Sequence, residues 1–215
     1  MRISPGAALD CLKQSSVINP VLWGGCTILI GIIGLCGWIM GSRFLVTIVP
    51  KSITMAPVSA FLFIILGICI CISRLSESEQ DYAIIFDILL IPPVLIGLWV
   101  LYTSHSEFPV TYSWSSYSAY QIFLIAPESQ MSLMSAVLFP TLSIGVFISQ
   151  YLSRHGSLIF LGIMMCSMVF ITGYILGHPF FYETSMKPIS FLSTLGFFLS
   201  ASGFWLSRRR IRENI

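Results

Sequence analysis

Six long apolar runs dominate this chain, at residues 20–41, 55–73, 82–102, 131–152, 156–176 and 188–206. Each approaches the ~20 residues a helix needs to cross about 30 Å of hydrocarbon. Segment 24–41 reads GGCTILIGIIGLCGWIMG, continuously apolar rather than alternating as a membrane β-strand would. A lone span in lipid must satisfy its backbone hydrogen bonds internally, so the runs predict helices. The remaining residues cannot coat a water-soluble fold. Apolar residues make up 56% of the chain and charged ones 9%, against roughly 45–50% and 25% in soluble domains. A soluble enzyme, a nucleic-acid binder and a secreted disulfide scaffold are all disfavoured. The third run carries Pro92-Pro93 at its middle, which removes two backbone donors and predicts a kink or a local break.

Orientation follows from the short loops. With the N-terminus in the cytoplasm, the inner side carries Arg2, Lys13, Arg74, Arg154, Arg208, Arg209, Arg210 and Arg212, and the outer side Arg43, Lys51 and Lys187. That asymmetry fits the positive-inside rule with both termini cytoplasmic in a multi-pass cell-membrane protein. The N-terminal stretch lacks the apolar core of a cleaved signal peptide, so the first run is expected to be retained. The chain thus divides into an N-terminal cytoplasmic segment (1–19), a membrane domain (20–207) and a basic cytoplasmic tail (208–215).

A short pattern recurs wherever the chain re-enters the membrane from outside. It reads Met55-Ala56-Pro57-Val58-Ser59-Ala60, Met131-Ser132-Leu133-Met134-Ser135-Ala136 and Met186-Lys187-Pro188-Ile189-Ser190-Phe191. The first two segments are matched onward through Phe63 and Phe139, Gly67 and Gly145, and Ser73 and Ser149. The preceding helices end Gly37-Trp38-Ile39-Met40-Gly41, Gly97-Leu98-Trp99-Val100-Leu101 and Gly173-Tyr174-Ile175-Leu176-Gly177. The expected fold is therefore an all-α integral membrane protein, with six transmembrane helices arranged as three parallel-repeat helical hairpins. Physical chemistry accounts for much of the motif without any reaction. Pro57 and Pro188 suit a first helical turn, with Thr54 and Ser185 upstream as expected caps. Gly37/Gly41 and Gly173/Gly177 predict flat faces for helix packing. Trp38, Trp99 and Tyr174 are expected at the outer membrane interface.

Chemistry-bearing residues are sparse. His105 and His178 follow the third and fifth helices in corresponding places, which raises a shared metal or haem site; loop polarity is the simpler reading, since neither has a ligand three or four residues away. His155 is placed in a tight inner turn, 152–156. Cysteines 26, 36, 69, 71 and 166 read as small packing residues, and the C-x-C at Cys69 and Cys71 lacks zinc or redox spacing. No metal, cofactor or catalytic residue is expected. Asp87 is the one acid inside a predicted span, either snorkelling to the inner interface or making a polar contact beside the Pro92-Pro93 kink. The outer segment 103–130, with Tyr112, Trp114, Tyr117, Tyr120 and Phe123, suits the headgroup boundary or the cap of an outer ligand pocket.

A helix ending in G-W-x-x-G, followed by M-x-P-x-S-A-x-x-F-x-x-x-G, resembles the N-terminal membrane sensor region of prokaryotic histidine kinases and related signalling proteins. The stretch GYILGHPFFYETSMKPISFLSTLGFFL is similar to the last hairpin of such regions, and the resemblance spans residues 24–207. The second hairpin departs, with Leu133 in place of the proline and a longer outer loop. The resemblance implies a membrane sensor whose last helix passes a signal to a cytoplasmic PAS or kinase module. With the sequence ending at Ile215, that output belongs to a longer protein or to a partner. Asp87, Pro92, Pro93, His105, Trp114 and His178 are then the candidate signalling and ligand region, near loops 42–54, 103–130 and 177–187. Membrane lipid and a signalling domain are the expected partners, nucleic acid is not, and a homo-oligomer is compatible with the chain. A structural subunit of a larger membrane complex is the first rival reading and a small transporter the second.

Overall fold

A computed structural model describes residues 20–47, 53–73, 80–103, 131–177 and 188–214. These residues form seven helices and no strands: α1 (Pro20–Ile39), α2 (Arg43–Thr47), α3 (Pro57–Ile72), α4 (Gln80–Thr103), α5 (Leu133–Tyr151), α6 (Ser153–Ile175) and α7 (Phe191–Asn214). Four stretches, Val21–Ile39, Tyr82–Thr103, Leu133–Gln150 and His155–Ile175, are long and apolar enough to cross a membrane. Pro57–Ile72 and Phe191–Ser207 are apolar but shorter. Such apolar helices point to a membrane protein.

The long helices pack as three antiparallel pairs, α1 with α3, α4 with α5, and α6 with α7. Further contacts join α3 to α4, α5 to α6, and α7 back to α1. In the middle α3, α5 and α7 meet through Phe63, Phe139 and Phe197, whose ring centroids lie 4.6–4.9 Å apart. All three rings are fully buried, and tilted and edge-on contacts at this spacing are favourable aromatic geometry. Around this core the polarity of a soluble protein is reversed. Large apolar side chains such as Leu29, Ile88, Leu95, Leu161 and Met165 on α1, α4 and α6 face outward. The buried polar residues, apart from Thr27 and Ser167, are serines and one threonine on α3, α5, α7 and their caps. Continuous exposed apolar surface of this kind marks contact with lipid or protein rather than water.

Close approach is built with small residues. A Cβ at Gly24 would lie 2.6 Å from Cys71 Sγ and 2.8 Å from the Gly67 carbonyl, and one at Gly31 2.5 Å from the Ala60 carbonyl. With Thr27 and Gly34 they line the face of α1 that receives α3, which is how small residues let membrane helices meet. On α4, Gly97 faces Pro140 and the Ala136 carbonyl in the same manner.

Several expectations are corrected. Helix α4 runs unbroken through Pro92 and Pro93, so the two prolines do not divide it. Packing of Pro93 against the interior and the helix turns on either side hold the segment helical despite the lost donors. Among the described residues, nothing packs within 4 Å of a Cβ at Gly41 or Gly177. They adopt φ of +64° and +74° with open space around them, and Ser42 N–H returns to the Gly37 carbonyl (2.9 Å) while Gly41 N–H bonds the Trp38 carbonyl (3.2 Å). That is a Schellman ending, which needs a residue tolerant of left-handed backbone. Gly37 does pack closely, a Cβ there meeting Val46 at 2.5 Å, and Gly173 is buried.

Pro57 occupies the first turn of α3 as expected, but the cap is Ala56 and makes no side-chain bond. Pro188 lies three residues before α7, and the cap there is Ser190, whose Oγ accepts from Ser193 N–H (3.1 Å). Ser132 caps α5 in the same way (3.2 Å). His155 sits in the first turn of α6, because only Leu152 separates α5 from α6. The basic run is itself helical, α7 continuing through it to Asn214.

Candidate functional site

Two places gather polar side chains where an apolar protein has little reason to hold them. The first joins the C-terminal end of α3 to α7. Ser73, just after α3, donates to the Ile70 carbonyl (2.7 Å), and its Oγ lies 2.8 Å from Ser207 Oγ on α7. With the Ser73 proton engaged, Ser207 supplies the proton of the shared bond. Both residues are buried. Beyond Ser207 the helix proceeds without interruption into the arginine run. A displacement of α7 against α3 must therefore break or carry this bond.

The second is a lateral groove of about 460 Å³ between α4 and α5. Antiparallel packing sets its register: Gly97 meets Ala136 and Pro140 at one end, and Gln150 Nε2 donates to Asp87 Oδ1 (3.0 Å) at the other. Asp87 lines the end near Gln150, Ile88, Ile91 and Leu95 form one wall, and Ile144 and Phe147 the other. Ser143 also lines it, is 2% exposed, and its Oγ has no hydrogen-bond partner. A buried hydroxyl left unpaired costs about 1–3 kcal/mol. The Asp87–Gln150 bond joins α4 to α5 at an exposed position. The sequence did not single out Ser143, Phe147 or Gln150. Their spacing of four and three residues along α5 was the available signal, obscured because serine and phenylalanine are equally at home in a packed helix.

Trp38 and Tyr174 do not form an interfacial belt. They are 5% and 8% exposed, and each reaches across its helix pair: Trp38 Nε1 donates to the Met55 carbonyl (2.6 Å) and Tyr174 Oη to the Ile189 carbonyl. These carbonyls lie just before the caps of α3 and α7, so the rings clasp the two pairs where those helices start. In the α4/α5 pair the matching position is Leu98, 51% exposed, while Trp99 is 66% exposed beside Tyr102. Trp99 alone of the three sits on the outer surface as a belt residue would.

His105, Trp114 and His178 lie outside the described residues, as do most of the three outer loops proposed for ligand contact. Among the described residues no three His, Cys, Asp or Glu side chains come together. Cys26, Cys36, Cys69, Cys71 and Cys166 carry free thiols. No protein-family model, curated protein or solved structure matches the chain.

Proposed function

We propose that the chain is a non-enzymatic membrane sensor or signal-input module. It crosses the membrane six times as three side-by-side helical hairpins, keeps both termini in the cytoplasm, and drives a kinase-type output in the same protein or a partner. The hairpin arrangement is supported by recurrence in space. Phe63, Phe139 and Phe197 meet at one level, and Ser73, Ser149 and Ser207 follow each of them by ten residues and are all buried. This register pairs Ser190 with Ser132, shifting the third motif three residues from its sequence alignment, and pairs Gly67 with Ser143 rather than with Gly145. The shorter apolar stretches Pro57–Ile72 and Phe191–Ser207 fit the same picture, because central helices are shielded by their neighbours.

The observation that carries the signalling role is α7 itself. It contributes Phe197 and Phe204 to the core, holds Ser73 through Ser207, and emerges as a continuous basic helix. A rigid rod with one end in a packed core transmits a shift in that core to whatever follows it, provided a ligand favours one arrangement over the other. The test is to fuse residues 1–215 to a histidine-kinase output and compare phosphorylation with that of a Ser207→Ala fusion. Regulated output with an altered set-point in the variant is expected. Identical constitutive output from both under every condition counts against the reading.

A further inference from the structure

The groove between α4 and α5 joins an acidic side chain to an aliphatic trough. Asp87 lines it together with Ile84, Ile88, Ile91 and Leu95 of α4 and Phe147 of α5. These five apolar side chains are roughly half exposed, so the trough opens sideways rather than into the core. Asp87 belongs to the stretch Tyr82–Thr103, which is long and apolar enough to cross a membrane. An ionised carboxylate in such a stretch is costly, and such groups are found paired or facing a cavity. Among the described residues its one hydrogen-bond or charged partner is Gln150, whose Nε2 donates to Oδ1 (3.0 Å). The amide is neutral, and a carboxylate accepts at two oxygens. Gln150 therefore fixes the position of Asp87 without offsetting its charge.

Charge complementarity narrows the occupant. A cation in the groove would meet Asp87 through a charge-assisted hydrogen bond, stronger than a neutral one. The attraction is also greater beside hydrocarbon than in water. The rest of the lining is almost wholly apolar, so the remainder of the ligand must be apolar as well. The α4 wall from Ile84 to Leu95 covers three helical turns, about 16 Å of helix. Its volume of about 460 Å³ falls within the roughly 300–1,000 Å³ of clefts that hold small organic ligands. A phospholipid with an amine head would bring its phosphate too, a like charge beside Asp87 that disfavours ionisation of the pair. We propose that the groove binds a membrane-soluble alkylammonium amphiphile. The ammonium donates to Asp87, and the hydrocarbon chain lies along Ile88, Ile91 and Leu95 against Phe147. The inference supplies a ligand class for the sensor reading and rests on that reading for its use, but binding is measured without any output, so either can fail alone.

The experiment uses the full chain in phosphatidylcholine nanodiscs and a dodecylamine carrying a diazirine in its chain, with crosslinks mapped by mass spectrometry. Labelling is expected within residues 84–95 and 144–147. Unlabelled dodecylamine should compete. Dodecanol, which keeps the tail without the charge, should not, and neither should phosphatidylethanolamine added to the discs. Asp87→Asn removes the charge and keeps an Oδ1 that can accept from Gln150. Its thermal midpoint should hold, while the half-competing concentration rises about tenfold or more, the size of one hydrogen bond to a charged group. Ile91→Trp, on the half-exposed apolar wall, should fill the groove and lower labelling about as much without touching the charge. Equal competition by dodecanol would identify the occupant as an uncharged lipid chain, and equal competition by phosphatidylethanolamine as a lipid headgroup. Labelling lost when a disc holds two chains would assign the groove to a second copy. Any of these results, unchanged competition in Asp87→Asn, or labelling confined to other helices would overturn the proposal.

Discussion

Trp38 in α1 and Tyr174 in α6 turn inward and bond a carbonyl at the start of the neighbouring helix, whereas the α4/α5 pair has Leu98 at that place and its indole, Trp99, on the outside. The clasped pairs also end their first helices in left-handed glycines, Gly41 and Gly177, whereas α4 is helical as far as Thr103. The unclasped pair is the one that opens a groove, and Asp87 lines it. Two pairs are thus fastened where their second helices start, and the third opens a lateral groove. Binding sites fall in the less stable parts of a fold because a ligand needs somewhere to enter.

The core that all three pairs share is where that comparison breaks first. Phe197→Ala removes a fully buried ring touching both Phe63 and Phe139. It should cost about 3–5 kcal/mol, seen as a large fall in thermal unfolding temperature in detergent. An unchanged midpoint would show that the three pairs do not depend on one another. A smaller effect separates clasped from unclasped pairs. Trp38→Phe leaves the Met55 carbonyl without its indole partner and should cost about 1–3 kcal/mol, while Trp99→Phe should stay within about 0.5 kcal/mol. Equal losses would erase the distinction. Smaller again, Gly41→Ala forces a side chain into left-handed backbone and should cost about 1 kcal/mol. Gly162→Ala inside α6, where a Cβ meets nothing within 4 Å, is the control and should stabilise by up to about 1 kcal/mol, since alanine favours a helix interior over glycine.

Much of the helical layout was legible because apolarity in long runs has few solutions in a bilayer. The runs 20–41, 82–102 and 131–152 lie within two residues of α1, α4 and α5 at each end. Ends were harder to read. Leu152 is enough to separate α5 from α6, and the arginines after Ser207 do not stop α7, since charge ends a span without ending a helix. Asp87 was recognisable by its rarity. Its partner Gln150 is 63 residues away, and nothing local in either segment specifies that pairing.

Composition and apolar run length determined by themselves that this chain is helical and made for an apolar surrounding, because the backbone has no other way to pair its polar groups there. The tertiary structure decided which aromatic rings turn inward, which glycines are packed against and which end a helix, and which serine is left unpaired. Each of these depends on the angle and register at which two distant helices meet. A Gly-Trp-x-x-Gly string is compatible with belt, packing face or clasp until the neighbour's carbonyl is in place.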